Sequence, residues 1–401
     1  MKRKKRLRRK EYLALERKKK DRQNKVLTGL FLALVFGGTA ATFLVPKREF
    51  SDRENRALQQ FPKASVDSVL NGKFESDYET YLSDQFPGRD GWIRVKTEAE
   101  LAMGKDEIKN IYFAKDDYLI ESHEGSFTTD TAEKNIGDLA AFLKSQENRF
   151  ETGRITAMIV PNAVEILKDK LPKYAPDSGE SAYLSKIQAA VPASMWFDAS
   201  SVLAEHKDEY IYYRTDHHWT TLGAWYAYQA WAEAKDFSPA PLSDYTVETL
   251  TTDFKGTIES KVGVDVVPDT IQSFMKKDLP AYTLDYNNGQ KSSDDLYDRS
   301  YLEGKDKYSV FFGGNQPIIR ASIKNNSARK LLVIKDSYAH CFLPFTFEDF
   351  SEVDFIDIRY FNESLKNYLE TSDYTDLLFL YNASGFAEDV SLAKLLSRKI
   401  R

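Results

Sequence analysis

From Val26 to Val45 the chain runs twenty residues without a charge, matching the ~20 apolar residues a helix needs to cross a bilayer. Downstream the pattern changes period. Phe74, Tyr78 and Tyr81 recur at helical spacing until Asp84-Gln85-Phe86-Pro87-Gly88-Arg89-Asp90 interrupts them. Ile111-Tyr112-Phe113 and Tyr118-Leu119-Ile120 flank the polar Lys115-Asp116-Asp117, which predicts a hairpin. Ala132, Ile136, Leu139 and Leu143 mark one face of a helix. Ile155 to Val160 is an uncharged run, apolar but for Thr156, closed by Pro161-Asn162, the pattern of a strand buried on both faces. Met195-Trp196-Phe197 and the aromatic, β-branched Tyr210-Ile211-Tyr212-Tyr213 read as shorter strands.

Residues 237–325 lose this rhythm. Turn-forming groups such as Tyr286-Asn287-Asn288-Gly289 and Gly313-Gly314-Asn315 predict an irregular insertion with some strands. The rhythm returns with the strand candidates Leu331–Ile334, Phe355–Ile358 and Leu377–Tyr381, the first leading into a helical stretch interrupted by Pro344. Alternating strands and helices predict an α/β domain whose mainly parallel sheet is covered on both faces. The expected organisation is a basic tail over 1–25, a membrane-spanning signal anchor over 26–45, a stalk with leading helices over 46–106, and the α/β domain over 107–401.

Charge changes the picture at the amino end. The formal net charge of −5 hides two regions of opposite sign. Residues 1–25 hold 14 Lys and Arg against three acids, leaving a net charge near −16 for the remainder. Next to an apolar span, such a tail reads as a topology signal rather than a nucleic-acid arm, placing the amino end in the cytoplasm and the bulk of the chain outside. A cleaved signal peptide competes, with Gly38-Thr39-Ala40-Ala41 as small residues, but the span exceeds the ~7–15 residues of a signal core. The single cysteine, Cys341, excludes an intramolecular disulfide, so the outer domain relies on its core.

The densest chemistry lies in Asp216-His217-His218-Trp219, followed by Thr220 and Thr221 as candidate helix caps. In an extended segment Asp216 and His218 share a face while His217 points away. A carboxylate beside an imidazole fixes its tautomer and stabilises the imidazolium, which is half of a nucleophile-activation system. Ser337, just past an apolar strand and before a helix, is the best candidate hydroxyl. It can equally be a helix cap, unless Asp336 takes that role and leaves Ser337 for chemistry. His340 falls three residues after Ser337, His123 and His206 lack a constellation, and Cys341 and the Trp225/Tyr228/Trp231 set read as core. The rival reading is a metal centre on Asp216, His217 and His218, serving phosphoester hydrolysis; both histidines bind one ion only if the chain turns there.

Asp216-His217-His218-Trp219 is the signature of the DHHW protein family. The resemblance extends through Asp84–Asp90, Tyr118-Leu119-Ile120, Val160-Pro161-Asn162 and Lys335-Asp336-Ser337-Tyr338-Ala339. That family is similar to the SGNH-like proteins that O-acetylate alginate and other exopolysaccharides. The resemblance implies a three-layer SGNH-hydrolase-like fold with permuted motif order, preceded by one transmembrane helix. It implies Ser337 as nucleophile, His218 as general base and Asp216 as its orienting acid, in a two-step acetyl transfer needing no cofactor. It further implies a polysaccharide acceptor and a membrane-bound O-acyltransferase as acetyl supplier. Arg359 and Asn382, following later strands, are candidate oxyanion or substrate contacts. The sequence departs from the serine-first pattern at Lys335, where those relatives carry glycine. A non-catalytic glycan-binding or assembly protein of the same fold is the alternative.

Overall fold

The computed structural model describes residues 9–397 apart from 52 and 55. The chain forms two compact units that divide between Val95 and Lys96. In the first, α1 (Arg9–Leu44) contains a stretch, Glu11–Ala41, long and apolar enough to cross a membrane. Beyond it, α2 (Lys73–Asp84) and α3 (Arg89–Ala102) are joined by an elbow. The motif that interrupts the helical pattern is the elbow's polar core. Asp84 accepts from the two terminal nitrogens of the Arg56 guanidinium at 2.9 and 2.6 Å and from the Gln59 N–H at 2.8 Å. Arg89 reaches Glu54 at 2.7 Å.

In the second unit the expected hairpin forms from β1 (Ile111–Phe113) and β2 (Leu119–Glu121), and the 3.6-residue pattern becomes α4 (Asp130–Gln146), capped by Thr129. The other strand candidates become β3 (Ile155–Val160), β4 (Trp196–Phe197), β10 (Lys330–Lys335), β11 (Glu352–Ile356) and β12 (Asp376–Asn382). Between them fall β5 (Tyr245–Phe254), β6 (Asp269–Lys276), β7 (Tyr282–Tyr286), β8 (Lys291–Ser293) and β9 (Ile318–Ile323). The eight-stranded sheet has the order β8-β7-β9-β11-β10-β12-β3-β4. From β11 to β4 neighbouring strands are parallel, while β9, β7 and β8 add antiparallel strands at one side.

Side-chain alternation divides the core between the two faces. Leu331, Val333, Leu378 and Leu380 pack with Trp219, Tyr228, Trp231 and Phe342 on one face. Leu332, Ile334, Leu377 and Phe379 pack with Leu139, Phe142 and Ile187 on the other. The parallel strands aim their carboxyl ends at one place: β3 at Asn162, β10 at Asp336-Ser337 and β12 at Asn382. This is where open α/β sheets hold ligands.

Two expectations are corrected. Tyr210–Tyr213 is not a strand of the sheet. It makes one isolated bridge, Tyr212 to Trp219, because its rings are spent on packing: Ile211, Tyr212 and Tyr213 are fully buried, and the Tyr212 hydroxyl donates to the Pro161 carbonyl at 2.7 Å. Such a residue pattern satisfies a buried loop as well as a ladder. The stretch after Ser337 is also not α-helix but two 3₁₀ segments, Ser337–Cys341 and Leu343–Glu348, parted near Pro344.

Candidate active site

The nucleophile candidate is presented by a cap. Asp336 Oδ1 accepts the Tyr338 N–H at 2.9 Å, and Oδ2 accepts the Asn382 N–H and Nδ2 at 2.8 and 2.6 Å. Asp336 therefore caps the 3₁₀ turn and ties β10 to the end of β12, leaving the Ser337 hydroxyl for another partner. Burial pushes its carboxyl up to about 6, opposed by Arg359 and those two backbone N–H groups.

That partner is His218. Its Nε2 lies 2.8 Å from Ser337 Oγ, and its Nδ1 lies 2.5 Å from Asp216 Oδ1. The pairing does not come from an extended strand. Residues 214–218 bend, and Asp216 Oδ1 also accepts the His218 N–H at 3.1 Å, a side-chain turn that Asp favours. Oδ2 is held by the N–H and Oγ1 of Thr257 at 2.8 and 3.1 Å. Burial alone pushes Asp216 up, but the adjacent imidazoles of His217 and His218 and the bonds from His218 and Thr257 outweigh it and keep the carboxylate ionised. An ionised Asp216 accepts a hydrogen bond from the Nδ1–H and fixes that tautomer, so Nε2 is free to accept from the serine.

Neighbours fix the loop that carries this pair. Asp269, the first residue of β6, accepts from the N–H groups of Arg214 and Thr215 at 2.9 and 2.8 Å and from Thr215 Oγ1 at 2.6 Å. Trp219 Nε1 donates to the Tyr338 carbonyl at 2.8 Å, and the Tyr338 hydroxyl donates to the His217 carbonyl. The two motifs are thus joined reciprocally. Tyr308 stacks on the His218 ring, centroids 3.8 Å apart at 14°, and its hydroxyl donates to the Ser337 carbonyl at 3.2 Å.

The remaining sequence candidates separate. Asn382 caps the short helix Ala383–Glu388 and bonds Asp336, Asn162 and Ser384. Arg359 forks onto Asp357 at 2.8 and 2.6 Å. Lys335 is buried, its Nζ 2.6 Å from His340 Nε2 and 3.7 Å from Asp357; burial lowers it to about 8 against the pull of Asp357. Burial pushes the Cys341 thiol up to about 12, an inert core group. His206 stacks on Tyr226 and pairs with Glu209, and His123 sits edge-on to Phe127. Thr220, not Thr221, caps the helix α5 (Thr221–Glu233).

The bend does bring ligand atoms of Asp216, His217 and His218 within 4.8 Å of one another. Each already has a partner: His217 Nδ1 meets Thr257 Oγ1 at 2.8 Å, Asp216 is shared between His218 and Thr257, and His218 Nε2 faces Ser337. An ion would displace those contacts, so the donor set fits a hydrogen-bond relay better than a metal centre.

Sequence reasoning missed Thr257, Asp269 and Tyr308, all inside the segment read as an irregular insertion. One signal was available. A Cβ on Gly256 would overlap Asp216, and an isolated glycine often marks such a close backbone approach.

The profile of the family described as DHHW protein matches residues 54–111 and 135–356. The chain belongs to the DHHW protein family. Among curated relatives, a "Probable alginate O-acetylase AlgJ" of Pseudomonas syringae pv. tomato is 23% identical over 219 residues, covering 52% of this chain and 56% of the relative. Its Pseudomonas putida counterpart is 24% identical over 181 residues, covering 44% and 47%. The DHHW chain thus matches about half the length of these relatives. Among solved structures, a DHHW family protein from Eubacterium siraeum superposes with a TM-score of 0.60 at 24% identity, over 72% of this chain and 95% of that one. Bacillus cereus PatB1 with a sulfonyl adduct gives 0.57 at 20% identity, over 73% and 100%. These likenesses establish a shared fold.

Proposed function

We propose that this DHHW chain is an extracytoplasmic O-acetyltransferase or acetylesterase, held to the membrane by its N-terminal helix and acting on a cell-surface or secreted polysaccharide. The observation that carries the reading is the unbroken relay from Asp216 through His218 to Ser337, with links of 2.5 and 2.8 Å. The names of the curated relatives support the acetyl chemistry. The order Asp-x-His before Ser supports a permuted SGNH-type arrangement of the α/β unit.

In the proposed reaction, His218 Nε2 takes the Ser337 proton as Oγ attacks the acetyl carbonyl. The donor oxygen leaves with that proton, and Ser337 carries the acetyl group. A sugar hydroxyl then gives its proton to His218 and attacks the acyl carbonyl, releasing Ser337 as its oxygen regains the proton. Water in place of the sugar makes the same site an esterase. Asp216 stabilises the imidazolium in both halves. A membrane-bound O-acyltransferase is the proposed acetyl supplier, because the activated donor lies on the side of the basic tail and the site lies on the other.

The test is ester-linked acetate on the surface polymer of a strain carrying Ser337→Ala. Its loss supports the proposal, and unchanged acetate overturns it. The purified chain should also be labelled by a sulfonyl fluoride at Ser337, and His218→Ala should abolish labelling. Glycan retention with no labelling would favour a non-catalytic binding protein.

A further inference from the structure

The first unit has an unusual surface past its apolar helix. Phe61, Leu70, Leu82, Phe86, Trp92 and Val95 are exposed by between 41% and 81%. A water-facing surface seldom gathers so many large apolar side chains in one short stretch. The α2–α3 elbow that carries four of them is fixed to the end of the span. Arg48, three residues past Val45, donates its N–H to Gln85 Oε1 at 3.0 Å and accepts from Gln85 Nε2 at 2.9 Å. Its guanidinium pairs with Asp90 at 3.0 Å, and the neighbouring Lys47 ammonium lies 5.4 Å from the centre of the Tyr81 ring. Tyr78, Leu82, Phe86 and Trp92 line one groove together with Ala33, Gly37, Gly38 and Ala41 of α1. The groove therefore continues along the side of the helix that itself lies in lipid when it spans.

We infer that the α2–α3 elbow is a lipid-facing wedge, seated at the boundary of headgroups and acyl chains in the leaflet into which the chain emerges. The occupant is phospholipid. Its acyl chain lies against Gly37, Gly38 and the apolar side chains, while Trp92 and Tyr78 set depth as amphipathic rings do at membrane interfaces. Lys47 and Arg48 stand at the headgroup level, where cations favour anionic lipid. The inference rests on the reading of α1 as a membrane span and is independent of the acetyl chemistry.

The test uses the full chain in phosphatidylethanolamine–phosphatidylglycerol vesicles with single nitroxide labels at Leu82→Cys, Trp92→Cys and, inside the span, Phe31→Cys. Cys341 is buried, so the parent chain should take no label. Far-ultraviolet circular dichroism and the urea unfolding midpoint, matched to the parent chain, check that each variant is folded. Collisions with oxygen should exceed those with a water-soluble nickel chelate at positions 82 and 92, as at 31. Chelate dominating at 82 and 92 but not at 31 overturns the wedge and spares the anchor. Chelate dominating at all three overturns both. Exclusion of both reagents at 82 and 92 means that protein covers the surface, which also overturns the lipid assignment.

Discussion

Asp216 uses its two oxygens differently: Oδ1 turns the chain and holds the imidazole, while Oδ2 is fixed by Thr257. An amide preserves that shape but presents the wrong group to Nδ1. Asp216→Asn should slow Ser337 labelling roughly 10³–10⁴-fold with circular dichroism unchanged. Tyr308 divides its role in the same way between ring and hydroxyl. Tyr308→Phe keeps the stack and gives up one hydrogen bond, about 1 kcal/mol, so labelling should stay within about tenfold. Tyr308→Ala should cost roughly 3–5 kcal/mol of stability, read by urea unfolding. Glu180 supplies a pH signature. Burial pushes its carboxyl up to about 8; one oxygen accepts the Asn162 N–H at 2.6 Å, and the other has no partner among the described residues. A carboxyl raised in this way stabilises the fold below its unfolded value, ~4.3, and that contribution is lost as pH rises through 8. Asp336, Asp349 and Asp354, raised to about 6, act in the same direction at lower pH. From pH 6 to 8 the parent's Tm should therefore fall more steeply than that of Glu180→Gln, and parallel curves would remove Glu180 as the cause.

At the scale of elements, the site depends on loops clamped by the segment between α5 and β10. Gly256 lets the chain pass against Asp216, and a methyl there overlaps both Cβ and Oδ2. Gly256→Ala should displace the acid and reduce Ser337 labelling by about 100-fold, measured against an unchanged far-ultraviolet spectrum. The parallel strands and the relay residues were legible in the sequence because each leaves a local mark. Ile155–Val160 is apolar but for Thr156, and Asp216, His218 and Ser337 fall in short polar motifs beside apolar stretches. Thr257, Asp269 and Tyr308 leave none. A threonine, an aspartate and a tyrosine among turn residues look the same whether or not another loop folds onto them. The antiparallel β7–β9 addition was hidden for a related reason: its strands are short, and their partners are set by the finished sheet rather than by local pattern. Tyr210–Tyr213 misled in the opposite sense, since buried aromatic rings imitate a strand.

At the scale of the molecule, charge and apolarity are separated along the chain. The dense Lys and Arg of residues 1–25 precede the one candidate span among the described residues, so a periplasm-active reporter fused after Arg401 should be active. Exchanging most of the basic residues in the tail for Gln should reduce that activity. The His218–Ser337 contact has a further consequence, for how the protein comes to be active. The two residues are 119 positions apart in sequence, and the partners that hold them, Thr257, Asp269 and Tyr308, lie in between. Closing so long a loop is slow compared with local helix formation. During refolding from urea, helical signal should return well before Ser337 becomes reactive. Serine reactivity is then a clock for completed topology, and a refolding chain passes through a compact but chemically silent stage before Ser337 meets His218.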